Sequence, residues 1–250
     1  MKLDMAGVLS DAWRMWKRDH DLLIRVAGLF FFLPQFALLL LVTPAPQKIA
    51  AGADEQAMRA WLQTVMDWYG ANGAGLVAAA AFALFGALTV MVLYLDRSRP
   101  DLRGALGAAL RLLPAYLFTA FLVLIPVWLG LALFIVPGIY AQGRLLLAGP
   151  ALVAEPEKGA TGAVARSMTL TRGHWLVLGA IACFVLFGGN ILAAPFIALG
   201  TTLDGAPIAN PVAAALLNAG AAVAMTVAAL ATILVRIALY RRLAQPSSGI

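Results

Sequence analysis

Six apolar stretches, each long enough to cross a bilayer as a helix, lie along this chain of 250 residues. A spanning helix needs about 20 apolar residues, because the hydrocarbon layer is about 30 Å thick and each residue adds about 1.5 Å. The stretches cover approximately residues 22–42, 75–95, 112–136, 139–154, 175–199 and 212–235. In lipid the backbone polar groups must bond within their own segment, and these stretches are too long for barrel strands. The sequence therefore predicts an all-α membrane protein with a single polytopic domain over residues 1–250.

The composition excludes an ordinary soluble domain. Hydrophobic residues make up 62% of the chain and charged residues 12%, against about 45–50% and about 25% in soluble domains. The formal net charge of +6 would also fit nucleic-acid binding, but the basic residues are dispersed between the apolar stretches, where membrane topology explains them better. We therefore expect the lipid bilayer, and no nucleic acid, among the partners of this protein.

The distribution of lysine and arginine predicts the orientation of the chain. With the N-terminus in the cytoplasm, the extracytoplasmic loops carry only Lys48 and Arg59, so 16 of the 18 basic residues lie on cytoplasmic segments. Cytoplasmic loops of membrane proteins carry an excess of Lys and Arg, and the opposite orientation would break this rule at every loop. Both termini are therefore expected in the cytoplasm.

Three basic amphipathic segments precede three pairs of apolar stretches. They cover about residues 5–20, 101–112 and 158–173, and each has apolar residues at helical spacing with Lys or Arg between them. Such a helix buries its apolar stripe at the headgroup boundary and keeps its cations near anionic lipid. The pattern predicts three transmembrane hairpins, each preceded by a cytoplasmic interfacial helix, as in membrane folds built from parallel repeats. The alternative is that any cytoplasmic segment between spans is basic and partly apolar, without a repeat.

The longest extracytoplasmic loop, about residues 43–74, contains a further helical pattern. Apolar residues between Asp54 and Tyr69 fall on one helix face, and Trp61 and Trp68 lie in the same segment. Aromatic rings of this kind suit the membrane interface, where they are half wet. We interpret the segment as an amphipathic helix on the outer surface. The alternative is a plain loop.

The most ordered polar signature runs from the third apolar stretch to the start of the fifth. It consists of a Pro-Gly pair, well-spaced charged residues and a Leu-Thr-x-Gly-His-like end before the next span. These residues are Pro137, Gly138, Arg144, Pro150, Glu155, Arg166, Ser167, Leu170, Thr171, Gly173 and His174. With this signature the chain resembles the glycerophosphoryl diester phosphodiesterase membrane-domain family, a group of bacterial inner-membrane proteins that includes many of unknown function.

The resemblance implies that the protein is located in the bacterial cytoplasmic (inner) membrane. It also implies a membrane part that is sometimes attached to a phosphodiesterase barrel, but such a barrel needs about 200 or more residues of its own. The apolar stretches leave no room for it. The motif match covers only about residues 137–175, whereas the hydropathy match covers nearly the whole chain.

No group of residues predicts catalysis, a metal or a cofactor. The acidic side chains of the cytoplasmic segments are scattered, and both histidines lie at predicted helix ends. These residues are Asp96, Asp101, Glu155, Glu157, His20 and His174. Metal-assisted hydrolysis requires a carboxylate–histidine cluster, which this spacing does not provide. The sequence therefore favours a protein that is not an enzyme.

Arg144 is the main candidate for a binding residue. It lies within the fourth apolar stretch, where a cation costs at least roughly 2.5–3.5 kcal/mol. One interpretation is a buried cation that binds a lipid phosphate or pairs with an acid. The other is a shallow turn at Pro137 and Gly138 from which Arg144 reaches the interface, or a structural bond between cytoplasmic helices. Glu155 is too far from Arg144 along the same helix to pair with it. Arg166, however, is able to contact Glu155 across the loop.

The predicted lipid-binding or structural site gathers the polar residues of this region. It comprises Arg144, Glu155, Arg166, Ser167, Arg172 and His174, with a turn at Pro137 and Gly138. Two asparagines lie outside it. Asn190 and Asn218 are expected to hydrogen-bond between the fifth and sixth spans.

Three functions are compatible with these patterns. The first is a non-enzymatic membrane protein that organises or binds anionic phospholipid, or a membrane-protein partner, at the cytoplasmic face. The second is a transporter or transport accessory with a pathway between the hairpins, near Arg144 and Asn190, where Gly188, Gly189 and Pro195 interrupt the fifth span. The third is an enzyme that acts on lipid phosphate. Few ionisable residues lie at mid-span depth, which favours the first function.

Overall fold

The computed structural model describes residues 4–43, 45–50, 52, 54–204 and 210–245, and every regular element in them is helical. The helices are α1 (Met5–Ala27), α2 (Leu33–Leu41), α3 (Glu55–Leu95), α4 (Leu102–Leu133), α5 (Ile135–Leu145), α6 (Ala148–Ala154), α7 (Gly159–Leu170), α8 (Trp175–Asp204) and α9 (Pro211–Ala244). A π-helical segment, Gly28–Phe32, joins α1 to α2, and a 3-10 turn, Pro156–Lys158, precedes α7.

Five helical segments are long and apolar enough to cross a membrane. They are Met5–Leu41, Glu55–Leu95, Leu102–Leu133, Val177–Gly200 and Pro211–Ala244. They coincide with the first, second, third, fifth and sixth predicted spans. The helices therefore fit a multi-pass membrane protein by their length and composition.

The fourth predicted span, residues 139–154, is not one helix. It is divided between α5 and α6, of 11 and seven residues, which are separated at Leu146 and Leu147. Neither piece alone reaches the length of about 20 residues that a crossing requires. The prediction of a sixth spanning helix at residues 139–154 is therefore not confirmed.

The turn predicted at Pro137 and Gly138 lies three residues earlier. The chain reverses at Phe134, whose backbone is extended (φ −157°, ψ 150°). Pro137 falls in the first turn of α5, where a residue without an N–H loses no helical hydrogen bond. Gly138 packs directly on α4, since a Cβ built on Gly130 would lie 2.7 Å from the Gly138 Cα. The Pro-Gly pair therefore permits close packing of α4 and α5 and does not form the turn.

Two of the three predicted interfacial helices are not separate elements. The segment 5–20 is the first part of α1, which bends at Asp19 (φ −121°, ψ 24°). The segment 101–112 is the beginning of the 32-residue helix α4. Only the segment 158–173 corresponds to a helix of its own, α7. The amphipathic patterns thus predicted helix correctly but not where each helix ends.

The outer amphipathic segment is also part of a longer helix. Residues 55–95 form the continuous 41-residue helix α3, which is about 60 Å long at about 1.5 Å per residue. The plain-loop alternative is therefore wrong, and so is a separate helix on the surface. The preceding loop packs along α3, because Trp68 Nε1 donates to the Thr43 carbonyl (2.9 Å) and Trp61 Nε1 to that of Gln47 (2.7 Å).

Four helix starts are fixed by capping side chains. Asp4, Asp54 and Asp101 each accept a hydrogen bond from the backbone N–H three residues later, at 2.7–3.0 Å. Asn210 caps α9 in the same way through the N–H groups of residues 212 and 213. Such a side chain satisfies an N–H that has no partner within the helix. The sequence thus determines where α1, α3, α4 and α9 begin.

Both ends of the described chain lie at the same end of the helix bundle. Arg242 Nε of α9 lies 2.5 Å from Asp11 Oδ2, and its Nη1 lies 3.2 Å from Asp4 Oδ2. Glu155, which follows α6, contacts Tyr240 at this end. We call it the polar end. After α4 has carried the chain away from it, α5 and α6 bring the chain back.

Candidate functional site

The break between α5 and α6 lies beside α7, whose hydroxyl groups bond the backbone there. Ser167 Oγ donates to the Arg144 carbonyl (2.8 Å) and accepts from Leu147 N–H (3.2 Å). Thr171 Oγ1 lies 3.1 Å from the same Arg144 oxygen. Both hydroxyl residues are fully buried. A buried backbone N–H or carbonyl group without a partner costs free energy. These bonds therefore allow the helix to break between α5 and α6 inside the protein.

Arg236 of α9 also bonds the backbone at the break between α5 and α6. Its Nε donates to the Leu146 carbonyl at 2.7 Å. The neighbouring positions on the same helix, Ile233 and Ile237, are buried apolar residues. A hydrogen bond from an ionised donor is about twice as strong as a neutral one. The guanidinium therefore holds α9 to the break, 90 residues away in sequence.

Glu155 is the centre of an ion-pair cluster at the polar end. Its Oε1 lies 3.2 Å from Arg166 Nε and accepts from the Tyr240 hydroxyl at 3.0 Å, and its Oε2 pairs with Lys158. The Lys158 hydrogen bond lowers the pKa of Glu155 below its usual range, with help from Tyr240 and Arg166 and against the effect of burial. The cluster joins the end of α6 to α7 and α9. We call these four residues the Glu155 cluster.

Arg144 and Arg172 lie on neighbouring backbone segments, and neither has an acidic partner among the described residues. The hydroxyl of Thr171 bonds the Arg144 carbonyl, which brings the next residue, Arg172, close to the end of α5. Arg144 is partly exposed and Arg172 is exposed. Among the described residues, neither guanidinium forms an ion pair or hydrogen bond. We call these two residues the arginine pair.

The two remaining predicted positions lie at the edge of the site or outside it. His174 follows the turn after α7, with its Nδ1 3.1 Å from the Arg172 carbonyl. That turn contains Gly173 with a φ of 83°, a conformation that glycine adopts without strain. Pro137 and Gly138 belong to the α4–α5 contact and do not contribute side chains to the site. The expected contact between Arg166 and Glu155 is present.

The two asparagines do not bond as expected. Asn218 Nδ2 donates to the Leu39 carbonyl of α2 at 3.2 Å, so it joins the first and last spans. Asn190 is exposed. Helix α8 is continuous through Gly188, Gly189 and Pro195. The interruption of the fifth span that the transporter hypothesis used is therefore not present.

No family model, curated protein or solved structure matches the chain. The resemblance to the glycerophosphoryl diester phosphodiesterase membrane-domain family therefore stays a prediction. The described residues contain no group of three His, Cys, Asp or Glu side chains arranged to hold a metal ion.

Three members of the site, Arg236, Tyr240 and Lys158, were not predicted from the sequence. Arg236 was counted only among the cytoplasmic cations, although it is followed by the apolar residues 237–239. The available signal was a cation with apolar residues before and after it in the same span, because a cation in that position usually faces the interior of the bundle. No signal in the sequence links Tyr240 to Glu155.

Proposed function

We propose that this protein is a non-enzymatic, multi-pass protein of the bacterial cytoplasmic membrane, whose polar end faces the cytoplasm and binds anionic phospholipid. The arginine pair is the binding site, and the Glu155 cluster is the framework that holds it in position. The observation that carries the proposal is that no acidic side chain in the described part of the chain pairs with Arg144 or Arg172. A guanidinium in that position matches a phosphate oxygen pair by charge and geometry.

The local charge balance supports an anionic ligand. Residues 135–174 carry four Lys or Arg and two Glu. Glu155 already bonds two of these four cations, Lys158 and Arg166. Glu157 is exposed on the 3-10 turn. The arginine pair therefore keeps a positive charge that an anionic headgroup would neutralise, at about 1 kcal/mol per basic residue near an anionic surface.

The cytoplasmic orientation is supported by two observations of different kinds. Sixteen of the 18 basic residues fall on one side if the N-terminus is cytoplasmic, as the positive-inside rule requires. The contact of Arg242 with Asp4 and Asp11 places both ends of the described chain on one side of the bundle. The second observation supports a topology in which the two ends face the same compartment.

A transport role is the second candidate, and the break between α5 and α6 favours it. Broken helices line many transporter sites, where freed backbone groups bind the substrate. In this protein Ser167, Thr171 and Arg236 already bond the freed groups. We rank lipid binding first because a substrate would have to displace all three. Binding of a membrane-protein partner at the same face is a further expectation of the same charge pattern.

Lipid retention measured by native mass spectrometry tests the proposal. The full chain would be purified from membranes containing phosphatidylglycerol and phosphatidylcholine, as the wild type, as Arg144→Gln with Arg172→Gln, and as Arg59→Gln. Arg59 is the matched control, because it is an exposed arginine that pairs with Glu55 in the outer part of α3. We expect the double variant to lose retained phosphatidylglycerol and the control to keep it.

Two results would reject the proposal. Equal phosphatidylglycerol retention in the double variant and the wild type would exclude the arginine pair as the headgroup site. Loss of phosphatidylcholine together with phosphatidylglycerol would mean that charge is not what the site recognises. Because the two guanidinium groups bond no described residue, the double variant should unfold at the same temperature as the wild type.

A further inference from the structure

An open groove with a volume of about 680 Å³ runs between the N-terminal helical segment and α9. Its lining is mostly apolar, and its polar side-chain groups are one hydroxyl and the indole N–H groups of Trp13 and Trp16. Representative lining residues are Trp13, Trp16, Gly28 and Phe32 on one side, and Val227 and Leu234 on the other. The hydroxyl belongs to Thr226 and already donates to the Ala222 carbonyl at 2.7 Å. The groove therefore suits a ligand that is mainly apolar.

The groove lies along helices that cross the membrane. Its two sides belong to the segments Met5–Leu41 and Pro211–Ala244. Large apolar side chains on its rim are half exposed, with Trp13 at 56%, Ile24 at 53% and Val227 at 56%. Contact of such a surface with hydrocarbon is favourable. Its volume falls in the range of about 300–1,000 Å³ that is typical of ligand sites.

A cation lies beside the part of the groove that Trp13 lines. Lys17 lies one turn after Trp13, with its Nζ 5.6 Å from the centre of that ring. The neighbouring cations are engaged, since Arg14 pairs with Asp11 and Arg18 with Asp19. Among the described residues, Lys17 has no ion pair, and its side chain is exposed. The groove thus has an apolar body and, towards the polar end, a positive charge.

We propose that this groove binds one anionic glycerophospholipid. An acyl chain lies between α1 and α9, and the phosphate of the headgroup meets the ammonium group of Lys17. Apolar length with a charge near it is the chemistry of a phospholipid. The site is separate from the arginine pair and does not depend on it.

Gly28 provides a way to close the groove without disturbing the fold. It lines the groove, its backbone is helical (φ −58°, ψ −46°), and a Cβ built on it meets no atom within 4 Å. The side chain of Gly28→Leu therefore occupies the volume that the acyl chain would need. Gly70 is the matched control, because it lies in α3, is exposed and also has open space at its Cβ position.

The experiment uses the full chain in phosphatidylcholine nanodiscs that contain phosphatidylglycerol with a photoactivatable acyl chain. Cross-linked peptides are mapped by mass spectrometry. We expect cross-links in α1 and in the part of α9 around residues 223–235, lost in Gly28→Leu and retained in Gly70→Leu. Lys17→Gln should lower the yield with the phosphatidylglycerol probe about fivefold, the contribution of one lysine near anionic lipid. The yield with a matching phosphatidylcholine probe should not change.

Four results would overturn the proposal. Unchanged cross-linking in Gly28→Leu, or labelling spread evenly over all lipid-facing helices, would exclude a defined chain site. Cross-links between two copies of the protein through the groove would identify a second copy as its occupant. An unchanged phosphatidylglycerol yield in Lys17→Gln would exclude the headgroup contact. Failure of the arginine pair to retain lipid would leave these peptide positions unaffected, so the two proposals are tested independently.

Discussion

The Glu155 cluster and the arginine pair each include a cation from α7 or the residues just after it, yet their cations are used differently. Arg166 and Lys158 bond a carboxylate of the protein, and Arg236 bonds a carbonyl group beside them. The guanidinium groups of Arg144 and Arg172 bond no described residue. The same residue type therefore serves as a structural bond in one place and remains available to a ligand in the other. Changes that remove each kind of cation should separate stability from lipid binding.

The largest effect on stability is expected at the hydroxyl groups of the break. Ser167→Ala combined with Thr171→Val removes the partners of Leu147 N–H and the Arg144 carbonyl. A buried polar group without a partner costs about 1–3 kcal/mol, so the free energy of unfolding should fall by about 2–6 kcal/mol. Denaturant titration in detergent micelles measures this change.

Thr169→Val is the control for that experiment. Thr169 is exposed on the same helix and bonds only the Ala165 carbonyl of its own turn. An exposed substitution of this kind changes stability by about 0.5 kcal/mol or less. Equal losses in the control and in the double variant would show that the break does not depend on the buried hydroxyl groups.

Arg236→Met should have the next largest effect. The substitution leaves the Leu146 carbonyl without its donor, and a hydrogen bond to a charged group contributes about 1.5–3 kcal/mol. Arg236→Lys keeps a donor at the same position and should lose less. The same denaturant titration compares the two variants. If the Arg236→Met variant proved as stable as the wild type, the Arg236 guanidinium would have no structural role. The contrast with Arg144 would then disappear.

The stability of the Glu155 cluster should depend on pH in one direction. A carboxyl group with a lowered pKa stabilises the fold above its usual pKa of about 4.3 and loses this contribution as the pH falls through its value in the folded protein. The melting temperature should therefore fall below about pH 4. Glu155→Gln should remove this dependence and cost about 1 kcal/mol or less at neutral pH.

Glu157→Gln is the matched control for the pH experiment, since Glu157 is exposed on the same 3-10 turn. It should leave the acid-induced loss of stability as it is in the wild type. A Glu155→Gln variant that still loses stability at acid pH would place the responsible carboxyl group elsewhere.

Five of the predicted spans could be predicted from the sequence, because a long apolar run in lipid is stable only as a helix. The fourth could not, because the groups that stabilise its break come from distant parts of the chain. Ser167 lies 20 residues after Leu147, and Arg236 lies 90 residues after Leu146. Apolar pattern alone gives no sign of these contacts.

The turn was misplaced for a related reason. Proline and glycine at positions 137 and 138 suggest a turn, but both residues also fit a helix start that packs closely on another helix. Phe134, where the chain reverses, has no such signal. The contact between Arg166 and Glu155 was predictable because only 11 residues separate them. Tyr240 is 85 residues from Glu155 and was missed.

The smallest effect on stability is expected at Arg144. This residue therefore tests whether the arginine pair binds lipid while the Glu155 cluster stabilises the fold. The measurement combines the melting temperature with phosphatidylglycerol retention in native mass spectrometry, for Arg144→Gln and Arg166→Gln under the same conditions. We predict that Arg144→Gln melts like the wild type and retains less phosphatidylglycerol, whereas Arg166→Gln melts at a lower temperature because Glu155 loses a partner. A lower melting temperature for Arg144→Gln with unchanged lipid retention would contradict the assignment of Arg144 to binding and of Arg166 to structure.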